Sequence, residues 1–436
     1  MLHDGSWFYI YCDVQFNMDL IMKRFVYFLL ILAFCGIVDA MSQTEEPVKY
    51  KRRSVLKEIK SNIKSGNYTR ADELFQSAIK TYEQARSDAE YYYIEANIQM
   101  NLALEENKKM YLATSPDTLK YFKYIYNMYH YSLICDSIES VPDENDRVKH
   151  KYRSDLSSKL LKFRNNLLNA GKFFYNKKQY DEAYNNLDMY LSSHSSPIFS
   201  GKDARGAILK DDTLKVPVLA VFSAYAAQKY QNAVKYIGCS LQDTLGRKYL
   251  IEIGCKSYAQ LGDTANMLSM LKRGFDEYPD YEYYYFTLLN YYNDELSYND
   301  AHELTVHMIS HFPDDSRFWY IKGKEEMFMN NLDSALVSFT NVVKLKSDDA
   351  YAYANIGNIY LHKVHQINQS YQLSIEDPRY VTKKAFVTDL YRKACENFEN
   401  AKKYKEDDTS LWLLGLRESY FKLNKGKELK SLEKYK

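Results

Sequence analysis

The feature that most constrains this chain is a 34-residue period in its C-terminal half. Pro279 and Pro313, Ala301 and Ala335, Trp319 and Tyr353, and Gly323 and Gly357 each stand 34 positions apart. Four residue classes recurring in one frame mark a unit too short to enclose its own core, so successive copies must stack. Within a copy the apolar spacing is helical, and a short polar turn divides it into two helices. Proline at the end of the second helix stops it, because it cannot donate the backbone hydrogen bond and clashes with the preceding turn. Only 8 prolines and 15 glycines occur in 436 residues, which leaves long stretches free to be helix and too few breakers for a large β or α/β protein.

The best copy runs from Ser316 to Asp349, with Trp319, Gly323, Ala335, Phe339 and Val342 at its key positions. It predicts small Gly323 facing small Ala335 where the helices approach, with Trp319 and Phe339 filling the wider gaps. This pattern resembles the tetratricopeptide family closely over that stretch. The resemblance implies an all-α, right-handed α-α superhelix, a solenoid of antiparallel helix pairs.

Weaker copies lie upstream. One starts near Lys248 with Tyr258, Gly262, Met267, Leu271 and Pro279; the next starts at Tyr281, with Tyr284, Tyr291, Ala301 and Met308, and reads as carrying one extra residue between its helices. Earlier turn-and-second-helix signatures are Gly66 to Ala78, Gly171 to Leu187, and Tyr225 to Ile237. Long amphipathic helices are expected over Tyr91–Leu112 and Leu119–Ile138, and an irregular link over Ser195–Lys215. Three segments follow: 1–42, an upstream extension and signal; 43–247, degenerate helical repeats; and 248–436, regular repeats. After Gly357 the second-helix group reappears as Ala394, Phe398 and Ala401, an insertion of 25 residues at about 363–389. The insertion is expected to lengthen both helices into a protruding hairpin, either a partner-binding device or a spacer. Trp412, Leu414 and Gly415 open a last pair, and the lysine-rich 422–436 segment reads as its polar cap.

Near the N-terminus, Lys23 and Arg24 precede an apolar run from Phe25 to Ile37, then Val38, Asp39 and Ala40, the three parts of a secretory signal. Translation is expected to start at Met22, and cleavage after Ala40 or Ser42 fits. The run is short for a bilayer span, so an uncleaved anchor is the alternative and the mature chain is expected to carry no integral span. Localisation is read as the periplasm or cell envelope of a Gram-negative bacterium. Leu32 to Cys35 resembles a lipoprotein box, spoiled by bulky Phe34. Cys135, Cys239, Cys255 and Cys395 have no zinc or redox spacing and read as buried thiols, Cys239 and Cys255 being the one pair close in sequence.

Charge is nearly balanced, 58 Lys+Arg against 57 Asp+Glu, so no field directs the chain to nucleic acid. The 43 tyrosines suit both helix packing and a recognition surface. No phosphate loop, nucleophile elbow or paired-histidine zinc motif occurs; His302, His307 and His311 read as a polar helix face, and Glu418-Ser419 as part of the last repeat. No cofactor is expected. The family resemblance implies a binding groove lined by first-helix residues that do not pack on the second helix: Tyr249, Glu252 and Lys256; Glu282, Tyr285 and Tyr292; Arg317, Tyr320 and Lys324; Tyr351, Asn355 and Asn358. Aromatic, cationic and amide groups together suit a protein or peptide ligand. The implied function is a non-catalytic interaction scaffold in the cell envelope; the alternative is an envelope lipoprotein that binds glycan or nutrient for uptake.

Overall fold

The computed structural model describes residues 50–201, 204–205, 215–244, 246–370 and 373–435. The signal and the extension before it lie outside the described residues. These residues form an all-α protein in two compact units divided between Tyr152 and Arg153, its helices joined mostly by short turns.

The first unit holds α1 (Arg52–Lys64), α2 (Tyr68–Thr81), the single turn α3 (Glu83–Arg86), α4 (Ala89–Tyr111) and α5 (Thr118–Glu139). The carboxylates of Asp88 and Asp117 start α4 and α5 by accepting from the amides of Glu90 and Lys120, which satisfies donors that have no intrahelical partner. Phe75, Tyr91, Ile98, Ile125 and Tyr129 are buried in this unit's core.

The second unit is a run of helix pairs: α6 (Arg153–Asn176) with α7 (Tyr180–Ser192), α8 (Lys215–Ala226) with α9 (Tyr230–Ser240), α10 (Arg247–Gln260) with α11 (Thr264–Glu277), α12 (Glu282–Asp294) with α13 (Tyr298–His311), α14 (Ser316–Phe328) with α15 (Leu332–Leu345), α16 (Ala350–Ser370) with α17 (Pro378–Tyr404), and α18 (Leu413–Lys422) with the short α19 (Gly426–Ser431). Second helices α9, α11, α13 and α15 begin at 230, 264, 298 and 332, and first helices α12, α14 and α16 at 282, 316 and 350. The 34-residue frame therefore runs without a break through residue 247, as far upstream as the α8–α9 pair.

Within that frame the turn between paired helices is a repeated backbone motif. Gln228, Gly262, Leu296 and Asn330, each 34 positions after the last, all have positive φ, between 56° and 71°. The amide of the next residue reaches back to close the helix: Lys229 to the Ala224 carbonyl, Asp263 to Tyr258, Ser297 to Tyr292 and Asn331 to Glu326, at 2.8 to 3.0 Å. This left-handed stop satisfies the orphan carbonyls of the first helix. It also overturns one expectation, since the Tyr281 copy has no extra residue between its helices: 295–297 separates α12 from α13 as 329–331 separates α14 from α15.

In the α14–α15 and α16–α17 pairs glycine packs against an aromatic ring and not, as the sequence pattern predicts for Gly323, against alanine. A Cβ on Gly323 would stand 2.8 Å from the Phe339 ring, and one on Gly357 2.8 Å from Phe398, which Gly415 meets as well. In the α12–α13 pair the sizes are exchanged, Leu289 standing at the frame position of Gly323 and Thr305 at that of Phe339.

Aromatic polar edges cover the ends of preceding helices. The Trp319 indole donates to the Pro313 carbonyl at 2.8 Å, the Tyr353 hydroxyl to Ser347 at 3.3 Å and the Trp412 indole to Lys405 at 3.1 Å. Each ring thus contributes apolar area and satisfies a carbonyl in the turn that follows a second helix. The insertion stretches α16 to 21 residues and α17 to 27, against 13 and 14 in the α14–α15 pair. Asp377 caps α17 by accepting from the Arg379 amide, with Pro378 at the first helical position.

Candidate functional site

The frame fixes which first-helix side chains share a face of the second unit. Equivalent positions on α10, α12, α14 and α16 are Tyr249, Tyr283, Arg317 and Tyr351; Glu252, Phe286, Tyr320 and Ala354; and Lys256, Asn290, Lys324 and Asn358. Ala354 is buried, and the other positions are exposed or half-buried.

Polar contacts tie neighbouring first helices along this face. The Tyr281 hydroxyl donates to Glu252 at 2.6 Å, which pushes the phenol up to about 12, and the Lys256 ammonium stands 5.2 Å from the centre of the Tyr283 ring. Arg317 pairs with Glu282 at 2.6 Å and with its own cap Asp315 at 2.7 Å; hydrogen bonds to these two carboxylates raise its pKa. The Asn355 amide donates to the Tyr320 hydroxyl at 3.2 Å. Lys405 donates to the Tyr351 hydroxyl.

Lys324 differs from the other cations of the face. Its stem is half-buried and its ammonium lies 5.6 Å from the Phe328 ring centre, with no carboxylate at ion-pair distance among the described residues. Desolvation by burial lowers its pKa, because removal from water disfavours the charged form.

Of the twelve residues expected to line the groove, Tyr249, Glu252, Lys256, Arg317, Tyr320, Lys324, Tyr351 and Asn358 hold the shared positions. Asn355 is buried beneath them, 8% exposed, and bonds Tyr320 and the Tyr351 carbonyl. Tyr285 is a correction: it is 0% exposed, edge-on to Phe318 at 5.2 Å, with its hydroxyl 3.0 Å from that of Thr305. Glu282 stands one position before the shared face, and half-buried Tyr292 two beyond it. The expected extra residue shifts that copy by one position and hides Tyr283 and Phe286; Asn290 is missed separately, with Tyr292 two positions out of frame. Counting 34 back from the unambiguous Arg317, Tyr320 and Lys324 recovers them.

Elsewhere, His307 and His311 lie with ring centres 4.5 Å apart and planes tilted by 38°, and no group of three or more metal-ligating side chains occurs among the described residues. His302 faces buried Glu325 at 3.6 Å. The Glu325 carboxyl accepts from Thr305 at 2.8 Å, and burial pushes its pKa up to about 7. Glu326, also buried, is held by Lys322 at 2.5 Å and Ser338 at 2.6 Å. Cys135, Cys255 and Cys395 are buried free thiols, whereas Cys239 is exposed, against expectation. No helix among the described residues is long and apolar enough to cross a membrane.

No known family profile matches the chain, and no curated protein does. Solved structures similar to it include MamA, at 15% identity and a TM-score of 0.33, covering 43% of this chain and 89% of MamA. The C-terminal part of a TPR repeat-containing protein from Cytophaga hutchinsonii is 13% identical with a TM-score of 0.35, covering 61% of this chain and 95% of that one. A TPR repeats protein from Bacteroides fragilis is 13% identical with a TM-score of 0.28, covering 59% and 98%. By its own frame, paired helices and glycine–aromatic packing, the second unit is a tetratricopeptide-like solenoid.

Proposed function

We propose that this chain is a non-catalytic scaffold, exported to the cell envelope, whose first-helix face forms a groove that binds a peptide segment of a protein partner. The observation that carries the reading is Lys324, a half-buried cation with no carboxylate among the described residues, set between Asn290 and Asn358 at the same frame position. A desolvated charge without a counter-ion is unfavourable, and a ligand carboxylate beside it would offset that cost. The flanking amides can donate to and accept from a peptide main chain. Tyr249, Tyr283, Phe286 and Tyr320 supply the aromatic area in which interface energy concentrates.

Export rests on the charged, apolar and small-residue pattern of 23–40. Mass measurement of the mature N-terminus tests it: a start at Met41 or Gln43 is expected, and a diacylated Cys35 would favour the lipoprotein reading. For the groove, a photo-crosslinking amino acid at Asn290 in cells should trap a discrete protein partner, and Lys324→Glu should abolish the adduct. Adducts no different from those formed at Val337, exposed on second helix α15, would sink the groove assignment.

A further inference from the structure

The insertion hairpin carries a second surface, separate from the first-helix face. Residues 378–390 of α17 precede Tyr391, the frame equivalent of Leu332 where α15 begins, so this part of the helix is surplus to the repeat. Surplus helix without a role should be polar. Instead Ile375, Val381 and Phe386 are 81%, 71% and 55% exposed, and the hairpin holds two adjoining clefts of about 390 and 360 Å³ that share Leu373 and Lys383. Lys383, Lys384 and Lys422 line the larger cleft with Tyr380, Val387 and Tyr391, and among the described residues no acidic side chain lines either cleft. Lys384 and Lys422 have no carboxylate at ion-pair distance among the described residues. Of the nearby acids, Asp377 is engaged by Arg379, Asp389 by Arg392 and Lys393, and Glu418 by His365 and the Tyr391 hydroxyl, while Glu376 is exposed at the hairpin tip and lines neither cleft.

From this geometry we infer that the tip of the insertion hairpin docks an acidic peptide segment of a protein partner, one that carries a large apolar side chain among its carboxylates. The lysines supply charge complementarity, which steers encounter and selects partners. Leu373, Pro378 and Val387 supply an apolar floor for the anchor residue. Two adjoining clefts that share Leu373 and Lys383 suit an extended segment better than a single small anion. The interspersed Asp377, Asp389 and Glu418 are wrong for a nucleic-acid backbone, which needs an uninterrupted basic stripe.

The test uses the full mature chain and a fluorescein-labelled peptide, Asp-Glu-Glu-Leu-Phe-Asp-Glu-Glu, followed by fluorescence anisotropy. Saturable binding below about 1 mM is expected, weakening as salt screens the charges. Lys383→Glu, Lys384→Glu and Lys422→Glu together should raise Kd by about tenfold or more, with an unchanged circular dichroism spectrum. Should the triple variant misfold, Lys384→Glu alone, at an exposed position, must still weaken binding about threefold. Serine in place of Leu-Phe in the peptide should also weaken it. No binding, equal binding of a lysine-for-acid peptide, tighter binding of a single-stranded oligonucleotide, or an affinity unmoved by the tip variants would each overturn the inference. A loss caused by Lys324→Glu would place the peptide in the first-helix groove and overturn the tip site without touching the groove reading.

Discussion

Leu296 is the left-handed residue of the α12–α13 turn, at φ 56°, where the copy before it uses Gly262 at φ 71°. An L-residue with a Cβ is disfavoured there by roughly 1–2 kcal/mol. Leu296 is also 68% exposed, so its side chain returns little burial energy. Replacing it by glycine removes the Cβ clash but adds freedom to the unfolded chain, which takes back about 0.4–1 kcal/mol. Leu296→Gly should therefore stabilise the unit by roughly 0.5–1 kcal/mol. Leu296→Ala removes the same side chain without relieving the backbone and should give no gain. Gly262→Ala runs the change in reverse and should destabilise by a similar amount. Stacked repeats open locally, so a global urea midpoint followed by circular dichroism should be paired with hydrogen exchange of the peptide covering 288–297. Up to about fivefold slower exchange there in Leu296→Gly matches the free energy. A lower midpoint or faster exchange in Leu296→Gly, or a gain in Leu296→Ala equal to that of glycine, would refute the view that backbone strain at this turn is the cost being relieved.

Other expectations follow from the core. Burial raises the Glu325 pKa to about 7 in the fold, above the carboxylate's ordinary 4.5, so the folded state holds the proton more tightly than the unfolded chain. Its contribution is full below about pH 4.5 and is lost as pH rises towards 7, by on the order of 3 kcal/mol. Glu325→Gln keeps an acceptor for Thr305 and cannot ionise, so in urea midpoints it should gain on the wild type between pH 5 and pH 8, by about that amount. A Cβ on Gly274 would stand 2.4 Å from the Tyr284 ring, whereas one on Gly246 meets nothing within 4 Å; thermal melts should show Gly274→Ala destabilised by about 1–3 kcal/mol and Gly246→Ala near wild type. Among the four described cysteines, brief maleimide labelling read by mass spectrometry should modify Cys239, exposed, well ahead of buried Cys135, Cys255 and Cys395.

Where sequence reading succeeded, the chemistry was carried by residues with few alternatives. Pro279 and Pro313 cannot continue a helix that runs into them, and Gly323 and Gly357 serve a close approach that no other residue allows, so the frame and the helix pairs were legible from Lys248 onward. The displaced Ala394, Phe398 and Ala401 revealed the insertion in the same way. Reading failed where a pair of positions satisfies packing jointly. Leu289 and Thr305 exchange the large and small roles that Gly323 and Phe339 hold one repeat later, so matching residue by residue lost the register and an extra residue was assumed. That slip moved the groove assignment onto Glu282 and Tyr285, a core residue, and hid Tyr283 and Phe286, while Tyr292 stood in for Asn290 two positions out of frame.

The turns show a second limit. Glycine at 262 and asparagine at 330 signal a left-handed stop, but Gln228 and Leu296 adopt it with side chains that carry no such signal, because the stacked pairs on either side dictate the backbone. The tyrosines illustrate the converse. Their number favours packing over recognition without saying which ring does which, and the structure divides the labour by position: Tyr284 is buried with its hydroxyl on the Lys248 carbonyl at 2.5 Å, while Tyr283 on the same helix turns to the shared face beside Lys256. One residue of sequence separates a core tyrosine from a surface one. The frame, and not the composition, therefore decides which of the 43 tyrosines can meet a partner, and Tyr283→Ala is the substitution that should weaken partner capture while leaving the melting temperature within a few degrees of wild type.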